Sequence, residues 1–258
     1  MDLELETIVL ITILAFVFQY TDASLGMGYG TSLTPLLLVI GFGLFEIVPA
    51  LLLSQFITGM VGGLFHQYFG NVDLSVGSRD LRITGVLTLF SIIGVAISVV
   101  AFVSVPEVYI QLYIGILVLC IGAVILLTFE RTFVLTMKKI MGLGLFAAFN
   151  KGLSGGGYGP IATGGQILSG VHSKSAIGIA SVAEGLTSAV GAVLFFFFVP
   201  AAEWGLVPWL LLGGLVSVPA AAFTVKKIHA RNLRVMVGIA ICALGIVTLV
   251  KVAFGWVG

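Results

Sequence analysis

Long apolar runs, separated by short polar segments, follow one another along the chain. Six of them lie near 44–66, 82–104, 107–128, 174–199, 204–225 and 233–256. Each is close to the roughly 20 residues that an α-helix needs to cross a bilayer. The pattern predicts an all-α polytopic membrane protein.

Four further apolar segments are shorter, and they come in two pairs. Segments 7–20 and 31–43 flank one glycine-rich polar break, and segments 136–149 and 160–171 flank another. A helix of about 14 residues covers only about 20 Å, less than the roughly 30 Å hydrocarbon core. Each pair therefore predicts a re-entrant or broken-helix hairpin, about 7–43 and about 136–171, that enters and leaves on one face. Unpaired backbone at that depth needs surrounding protein or a water-filled cavity.

The two breaks are copies of one another. Asp22–Pro35 reads DASLGMGYGTSLTP and Lys151–Gly164 reads KGLSGGGYGPIATG, at an offset of 129 residues in a chain of 258. Halves 1–129 and 130–258 are therefore predicted to be repeats, each a hairpin followed by three spans. An odd number of crossings inverts the second repeat. Inverted repeats with broken helices are typical of secondary transporters, which bind substrate at the repeat interface near the membrane midplane.

Composition agrees with a membrane protein and argues against several other classes. Hydrophobic residues make up 59% of the chain and charged residues 9%, whereas soluble proteins carry about 25% charged residues. The net charge of +1 and the absence of a basic run argue against a nucleic-acid partner. No zinc motif or phosphate loop occurs, and we expect no catalytic residue, metal or cofactor. The sequence predicts no particular oligomeric state.

The distribution of charge predicts the orientation in the membrane. If each hairpin makes no net crossing and the N-terminus lies outside, 10 of the 12 basic residues fall on the cytoplasmic side. These are Arg79, Arg82, Arg131, Lys138, Lys139, Lys174, Lys226, Lys227, Arg231 and Arg234, whereas Glu46, Glu107 and Glu203 fall outside. Counting each hairpin as one crossing would place segment 129–139 outside, against the positive-inside rule. We therefore expect a multi-pass protein of the cytoplasmic membrane with both termini outside.

Each break precedes a short helix, whose N-terminus offers unpaired N–H donors and partial positive charge to an anionic oxygen. Glycines let the backbone turn and expose these donors. The predicted substrate-binding residues are Ser24, Gly26, Gly28, Tyr29, Gly30, Thr31, Gln55, Asn150, Lys151, Ser154, Gly155, Gly156, Gly157, Tyr158 and Gly159. The alternative is that the glycines only permit close packing and that the tyrosines only pack at the breaks.

Lys151 and Asp22 are counterparts at the 129-residue offset, and both lie deep in the predicted membrane region. An ionisable group at such depth costs roughly 3 kcal/mol or more and usually marks a pathway or a partner. Lys151, beside Asn150, is predicted to bind the negative group of a substrate. The alternative is a structural salt bridge between Asp22 and Lys151 that joins the hairpins. Both interpretations hold if the pair opens during transport.

Glu184 lies in the middle of the span 174–199, and its counterpart in the first half is the neutral Gln55. Of these two equivalent positions, only Glu184 can take up a proton. Glu184 and Asp22 are therefore predicted to couple transport to protons. The alternative for Glu184 is a hydrogen-bonded packing residue. Thr34, Thr163 and Gln166 are weaker candidates for further donors.

The duplicated break, with Pro35 in the first copy and NKGLSGGGYGP in the second, resembles the sulfite exporter TauE/SafE family of membrane permeases. The resemblance covers essentially the whole chain: its length, its two homologous halves, the glycine-rich hairpins and the short loops. It implies the movement of sulfur-containing anions, such as sulfite and organosulfonates, across the cytoplasmic membrane without an ATPase domain.

These observations together predict a secondary active transporter, or permease, for a small anion such as a sulfonate or sulfite. The predicted mechanism is alternating access, in which the anion binds between the hairpin tips and the two halves rock. Its partners are then the anion and the lipid bilayer. One alternative is a passive anion channel, which would conduct without a coupling ion. Another is an intramembrane enzyme, for which only Asp22, Lys151 and Glu184 lie deep enough.

Overall fold

A computed structural model describes residues 4–127 and 136–227, together with a few single positions between 239 and 253. The helices are α1 Leu5–Leu25, α2 Tyr29–Ile40, α3 Leu44–Tyr68, α4 Arg79–Ser104, α5 Glu107–Leu127, α6 Met137–Ser154, α7 Tyr158–Leu168, α8 Ser173–Phe198 and α9 Val207–Lys227. No strand occurs within the described residues, and the predicted all-α class is confirmed.

Five of these helices, α1, α3, α4, α8 and α9, are long and apolar enough to cross a membrane. The predicted spans 44–66, 82–104, 107–128, 174–199 and 204–225 agree with α3, α4, α5, α8 and α9 to within three residues at each end. The predicted span 233–256 lies largely outside the described residues. The prediction of a multi-pass helical membrane protein is therefore confirmed.

The lengths predicted for the first helix of each hairpin are wrong. Segment 7–20 is part of the 21-residue helix α1, and segment 136–149 is part of the 18-residue helix α6. At 1.5 Å per residue α1 is about 30 Å long, which is enough to cross the hydrocarbon core. The apolar pattern ends early because polar side chains such as Asp22 and Lys151 occupy the last turns, where the backbone is still helical.

Glycines in the left-handed conformation end both long hairpin helices. Gly26 and Gly155 each have a φ of 70°. Their N–H groups donate to the main-chain oxygens of Asp22 and Lys151 at 2.6 and 2.8 Å. This is a common way to satisfy the last carbonyls of a helix, and it favours glycine because a side chain strains the backbone there.

Glycines also begin both short helices of the hairpins. Gly28, with a φ of 131°, caps α2, and Gly157, with a φ of 79°, caps α7. The two helices contain 12 and 11 residues and are short, as predicted. They begin two residues earlier than the predicted segments 31–43 and 160–171, because each Gly-Tyr-Gly triplet forms the start of the helix itself.

The first hairpin begins and ends at one end of the helix bundle. α1 runs parallel to α9, since Thr12 lies against Gly213 and the Tyr20 hydroxyl hydrogen-bonds that of Thr224 at 2.7 Å. α9 begins beside the start of α3, where the Glu203 N–H donates to a carbonyl of the first turn of α3 at 2.9 Å. α2 ends just before α3 begins, so both ends of the hairpin lie here.

The second hairpin begins and ends at the opposite end of the bundle. α6 runs parallel to α4, because Gly144 packs on Leu87 and Gly152 packs on Ser98. α4 begins after the loop that follows α3, at the end away from the first hairpin. α7 returns to this end, where Gly178 of α8 packs against the same loop.

Basic side chains lie at one end of the described bundle, together with Asp73 and Asp80, and other acidic side chains lie at the opposite end. Lys174, at the start of α8, donates to the carbonyl of Lys226 near the end of α9 at 3.1 Å. At the other end, the Leu44 N–H donates to the Glu107 carboxylate at 3.2 Å, close to Glu203. These positions match the predicted separation of bases from acids. The orientation of the two ends relative to the cytoplasm remains a prediction.

The long helix of each hairpin packs chiefly on a helix from the other half of the chain. α1 packs on α9 and α6 packs on α4, while α3 and α8 lie against each other in the centre. These pairings correspond under the 129-residue offset. Two apolar clusters form the core, one around Tyr29 and one around Tyr158. The two glycine-rich breaks lie where the halves meet.

Candidate functional site

The two glycine-rich breaks are in direct backbone contact. A Cβ atom on Gly30 would overlap the carbonyl oxygen of Gly155, and one on Gly159 would overlap the carbonyl oxygen of Gly26. Gly156 in turn lies against the main chain of Gly30. These glycines therefore permit close packing of the two breaks, and no layer of side chains separates the hairpin tips.

Hydrogen bonds also join one break to the other. The Gly157 N–H donates to the Thr31 hydroxyl at 2.9 Å, and the Thr34 hydroxyl donates to the Ser154 carbonyl at 2.7 Å. Within the second break, the Gly156 N–H donates to the Ser154 hydroxyl at 3.2 Å. Two of the N–H groups predicted to bind an anion thus have hydroxyl oxygens of the protein as partners in this arrangement.

Lys151 forms a buried ion pair with Glu184. The ammonium Nζ lies 2.8 Å from the Glu184 Oε1, and the two side chains are 0% and 7% exposed. This pair differs from the alternative predicted from the sequence, in which Lys151 pairs with Asp22. The lysine comes from the last turn of α6 and the glutamate from the middle of α8, so the pair fastens the second hairpin to the central helices.

Asp22 binds a neutral partner instead of Lys151. Its carboxylate accepts from the Gln55 Nε2 at 3.1 Å and from the Tyr29 N–H at 3.3 Å. Because Asp22 corresponds to Lys151 and Gln55 corresponds to Glu184, the Asp22–Gln55 pair is the counterpart of the ion pair at the same offset. Asp22 is also within electrostatic range of Lys151 and Glu184. The three ionisable groups therefore form one buried cluster around the hairpin tips.

The cluster contains one more acid than base. If Asp22, Lys151 and Glu184 are all ionised, their net charge is −1. Uncompensated charge is costly in a buried site, and the cost falls when a proton or a counter-charge is added. The cluster lies at the contact between the two hairpins, so a proton or a counter-charge brought to this contact would reduce that cost.

With this geometry in view, comparison with known proteins identifies the family. A family model for the sulfite exporter TauE/SafE matches residues 11–248. The chain belongs to the sulfite exporter TauE/SafE family.

A relative in Bacillus subtilis (strain 168) supports this assignment. The protein, described as "Probable membrane transporter protein YtnM", is 28% identical over 251 residues, which cover 91% of this chain and 80% of the relative. No solved structure matches the chain. Membership of the TauE/SafE family makes this a multi-pass membrane protein of a transporter family.

In this TauE/SafE protein, the polar residues next to the breaks bond to their own or neighbouring helices. Asn150 accepts from the Tyr113 hydroxyl and donates to the Phe146 carbonyl at 2.5 Å. The Ser24 hydroxyl donates to the Tyr20 carbonyl one turn back in α1. Ser24 and Asn150 are therefore part of the helices that carry the breaks, and they hold the last turns in place.

The two tyrosines of the Gly-Tyr-Gly triplets are fully buried and bond away from the opposite break. The Tyr29 hydroxyl hydrogen-bonds Ser54 at 3.2 Å, and the Tyr158 hydroxyl hydrogen-bonds Ser91 at 3.0 Å. Each ring joins its own apolar cluster. Packing at the break, one of the two interpretations that the sequence left open, describes both side chains in this arrangement.

Several buried polar atoms near the cluster have no hydrogen-bond partner among the described residues. They include the Gln55 Oε1, the Thr163 hydroxyl and the Ser188 hydroxyl. Thr163 lies against Gly26, so it reaches the first break from α7. Ser188 was not a candidate from the sequence. Its position, one helical turn after Glu184 in the same apolar span, is the signal that identifies it.

Proposed function

We propose that the protein is a secondary active transporter of a small anion, a sulfonate or a sulfur oxyanion such as sulfite. It moves the anion across the cytoplasmic membrane by alternating access coupled to protons. The observation that carries the proposal is the fully buried Lys151, a cation at the contact of two broken-helix hairpins. The family's description as sulfite exporters supports the choice of a sulfur-containing anion.

The anion binds to Lys151 by taking the place of Glu184. A tetrahedral or pyramidal oxyanion accepts several hydrogen bonds, and Lys151 offers three donors. Among the N–H groups of residues 154–159 and 26–32, those of Gly156 and Gly157 bond hydroxyls and not main-chain carbonyls, so they are the nearby donors that can turn to the anion. The hydroxyl of Thr163, which has no partner in the described arrangement, is a further donor. The Thr31 and Ser154 hydroxyls that bond the Gly157 and Gly156 N–H groups have to turn away when these groups bind the anion.

A proton accompanies the anion because of the charges already present. An anion that approaches Lys151 meets the carboxylates of Glu184 and Asp22. When Glu184 takes up a proton, it releases Lys151, and the ammonium then pairs with the anion. The cluster with one proton and one monoanion has the same net charge as before, so the two can cross together. Asp22 is the second group that can hold the proton.

Alternating access is supported by the opposite directions of the hairpins. We propose that halves 1–129 and 130–258 are inverted repeats that rock about the contact between α3 and α8. The correspondence of the α1–α9 and α6–α4 pairings under the 129-residue offset supports this arrangement. Rocking moves the breaks away from the helices at one end of the bundle and then from those at the other end. The cluster is therefore open to one side of the membrane at a time.

Transport of labelled sulfite by the purified protein in proteoliposomes tests the assignment of Lys151. Lys151→Gln keeps hydrogen-bonding capacity but removes the charge, and we expect sulfite flux to fall at least about tenfold, since a hydrogen bond to a charged group contributes about 1.5–3 kcal/mol. Lys151→Arg keeps the charge and should retain more flux than Lys151→Gln. Normal flux in a folded Lys151→Gln protein would refute the site.

A pH gradient separates the proposal from a passive anion channel. The proposal predicts that a gradient across the liposome membrane drives accumulation of a labelled sulfonate, which stays fully ionised near neutral pH, above the level set by the anion gradient alone. A channel would give flux that follows the anion gradient and the membrane potential, with no accumulation of the sulfonate when only the pH differs. The measurement is internal sulfonate at steady state, with a proton ionophore as the control.

A further inference from the structure

A row of hydroxyl side chains follows one face of α4. Thr84, Thr88 and Ser91 are four and three residues apart, a spacing that places them on one side of a helix, and all three are buried. The row starts near the end of the bundle that carries Lys174 and Lys226, which we call the basic end. Buried polar groups therefore lead from the basic end towards the centre of the bundle.

The row reaches the level of Glu184 on the neighbouring helix. Both α4 and α8 begin at the basic end, and Val95 of α4 packs against Gly191 of α8. Thr88 and Glu184 each lie seven residues before these contact positions, which is about two helical turns. They are therefore at about the same depth. The Thr88 side chain is only 8% exposed, and its hydroxyl has no hydrogen-bond partner among the described residues.

Tyr158 connects the row to Glu184. Its hydroxyl hydrogen-bonds that of Ser91 at 3.0 Å, and it lies within electrostatic range of Glu184. Two turns nearer to the basic end on the same face of α7, Gln166 is fully buried, and its Oε1 has no partner within the described part of the chain. Buried polar atoms nearly always have a partner, and water molecules commonly supply it. The polar groups of α4 and α7 are thus suited to hold water between Glu184 and the basic end.

The row ends at a carboxylate near the surface. The Thr84 hydroxyl donates to the main-chain oxygen of Asp80 at 2.9 Å, and Asp80 is partly exposed in the first turn of α4. Its carboxylate accepts from the Asp73 N–H at 3.2 Å in the loop before the helix. The polar groups therefore continue to a position that water at the basic end can reach.

No comparable row leads from Glu184 to the opposite end within the described helices. The Ser98 hydroxyl, farther along the same face of α4, donates within its own helix at 2.8 Å. Beyond it, the ring of Phe102 meets those of Phe45 and Phe195 edge-on, with centroid distances of 5.2 and 4.9 Å. These rings come from α3, α4 and α8, and they offer water no strong hydrogen-bond partner. In this arrangement, Glu184 is connected to the basic end alone.

The charges around Glu184 come from other helices. The ionisable groups near it in the described structure are Lys151 of α6, Asp22 of α1 and Tyr158 of α7. The facing turn of α3 is neutral, and α4 has no ionisable residue after Arg82. α4 therefore contributes hydroxyls to this place and no charge of its own.

We propose that α4 carries a proton-transfer path from the basic end to Glu184, through Thr88, Ser91, Tyr158 and water molecules between them. The inference rests on the proposed function, in which Glu184 takes up a proton. Each hydroxyl accepts one proton and donates another, so it is unchanged afterwards. Side chains one helical turn apart are separated by about 5–6 Å, and a water molecule bridges such a gap. The proton comes from water at the basic end and finally lies on the Glu184 carboxylate.

Two kinds of transport by the full-length protein in proteoliposomes test the path. Net accumulation of a labelled sulfonate in a pH gradient requires a proton to reach Glu184 in every cycle. Exchange of internal for external sulfonate at equal pH can proceed while the proton is retained. We expect Thr88→Val and Ser91→Ala to slow net accumulation at least about tenfold, since a positioned proton-transfer group contributes at least that factor. Exchange should be unchanged in both variants.

Ser98→Ala is the matched control, because it removes a buried hydroxyl from the same face of α4 on the other side of the Glu184 level. It should retain both rates. Thr88→Val should unfold at a temperature no lower than wild type, since it removes a polar group that lacks a partner.

Three outcomes would overturn the path. Net accumulation by Thr88→Val and Ser91→Ala at the rate of Ser98→Ala would refute it and leave the proposed transporter intact. Equal losses of exchange and net accumulation would do the same, because the hydroxyls would then be structural. Wild-type protein that accumulates no sulfonate in a pH gradient would refute the proposed coupling, and the path with it.

Discussion

Lys151 and Glu184 lie in the apolar interior at a cost, because two charges lose their hydration there. A buried ion pair often stabilises a fold no better than well-packed apolar residues of similar size. The counterpart pair, Asp22 and Gln55, fills the equivalent place with only one charge. A second charge is thus not required for the packing at this position. This agrees with the proposal that the charges on Lys151 and Glu184 serve transport.

A double substitution separates these two explanations. Lys151→Met alone leaves the Glu184 carboxylate buried without its partner, and we expect the free energy of unfolding to fall by about 3–5 kcal/mol. Lys151→Met with Glu184→Met removes both charges and should recover most of that loss, yet transport should stay abolished. Thermal unfolding in detergent, together with sulfite flux, measures both. Flux that returns with stability would show that the pair is only structural.

Glu184→Gln tests the role of the carboxyl group in coupling. The variant cannot take up a proton at this position, so accumulation of a fully ionised sulfonate should no longer depend on the pH gradient. Glu203→Gln is the control, because Glu203 is an exposed carboxylate at the end of the bundle. The measurement is accumulation in proteoliposomes with and without the gradient. A Glu184→Gln protein that responds to the gradient as wild type does would assign coupling elsewhere, with Asp22 the next candidate.

The sequence located this cluster but did not predict its bonds. The 129-residue offset matched Lys151 with Asp22 and Glu184 with Gln55. The only salt bridge that it suggested for the lysine was with Asp22 of the other half, whereas the structure pairs Lys151 with Glu184 of its own half. Asp22 and Glu184 both lie within electrostatic range of Lys151. Which of them pairs with the lysine depends on how α6 packs against α8, and the sequence pattern does not determine that packing. The hydroxyl of Ser188 was not among the candidates, although its position one helical turn after Glu184 is visible in the sequence; that it lacks a partner is known only from the packing.

At the scale of the element, the hairpins depend on glycine in two different ways. Gly26, Gly28, Gly155 and Gly157 have backbone conformations that disfavour side chains. Gly30, by contrast, is an ordinary helical residue in the first turn of α2, and it is small because another backbone touches it. Some positions of the break therefore require glycine because of their backbone conformation, and others because another main chain touches them.

Gly30→Ala tests whether the close contact between the two breaks requires glycine at this position. The added Cβ would overlap the main-chain carbonyl of Gly155, which cannot turn aside as a flexible side chain can. We expect a loss of at least about 2 kcal/mol in the free energy of unfolding, at the upper part of the range for overpacking. Gly85→Ala, with open space around the added Cβ, should be neutral or stabilising by up to about 1 kcal/mol. Thermal unfolding of both variants measures this difference in stability.

The ends of the hairpin helices were the least predictable part of the fold. The duplicated break, the two short helices after it and their glycine caps follow from the local pattern of glycine and apolar residues. α1 and α6 are longer than predicted because Asp22 and Lys151 are polar yet helical. Their polar groups are satisfied by residues far along the chain, and hydrophobicity alone cannot distinguish such a turn from a loop.

At the scale of the whole molecule, the long helix of each hairpin packs on a helix from the other half of the chain. The all-α class, most of the spans and the separation of charge followed from the sequence. The packing of α1 on α9 and of α6 on α4 did not follow from the sequence. Small residues such as Gly213 and Gly152 permit the close approach of another helix, but they do not specify which helix it is. Rocking of the halves would require movement at the central contact of α3 with α8.

A disulfide across α3 and α8 tests that movement. A Cβ on Gly62 would lie 3.9 Å from the Cβ of Ser181, a suitable separation for a disulfide. In a background with Cys120→Ser and Cys242→Ser, oxidised Gly62→Cys with Ser181→Cys should lose most of its sulfite flux, and reduction should restore it. Each single cysteine variant is the control. Full flux in the completely oxidised protein would show that α3 and α8 do not separate during transport.

The packing of α1 on α9 also has a consequence for biosynthesis. A ribosome makes α1 long before α9, because seven helices lie between them in the chain. Until α9 is made, α1 lacks its main neighbour in the bilayer, although Gln55 of α3 can already bond its aspartate. A helix that is inserted early is therefore among the last to reach its final packing.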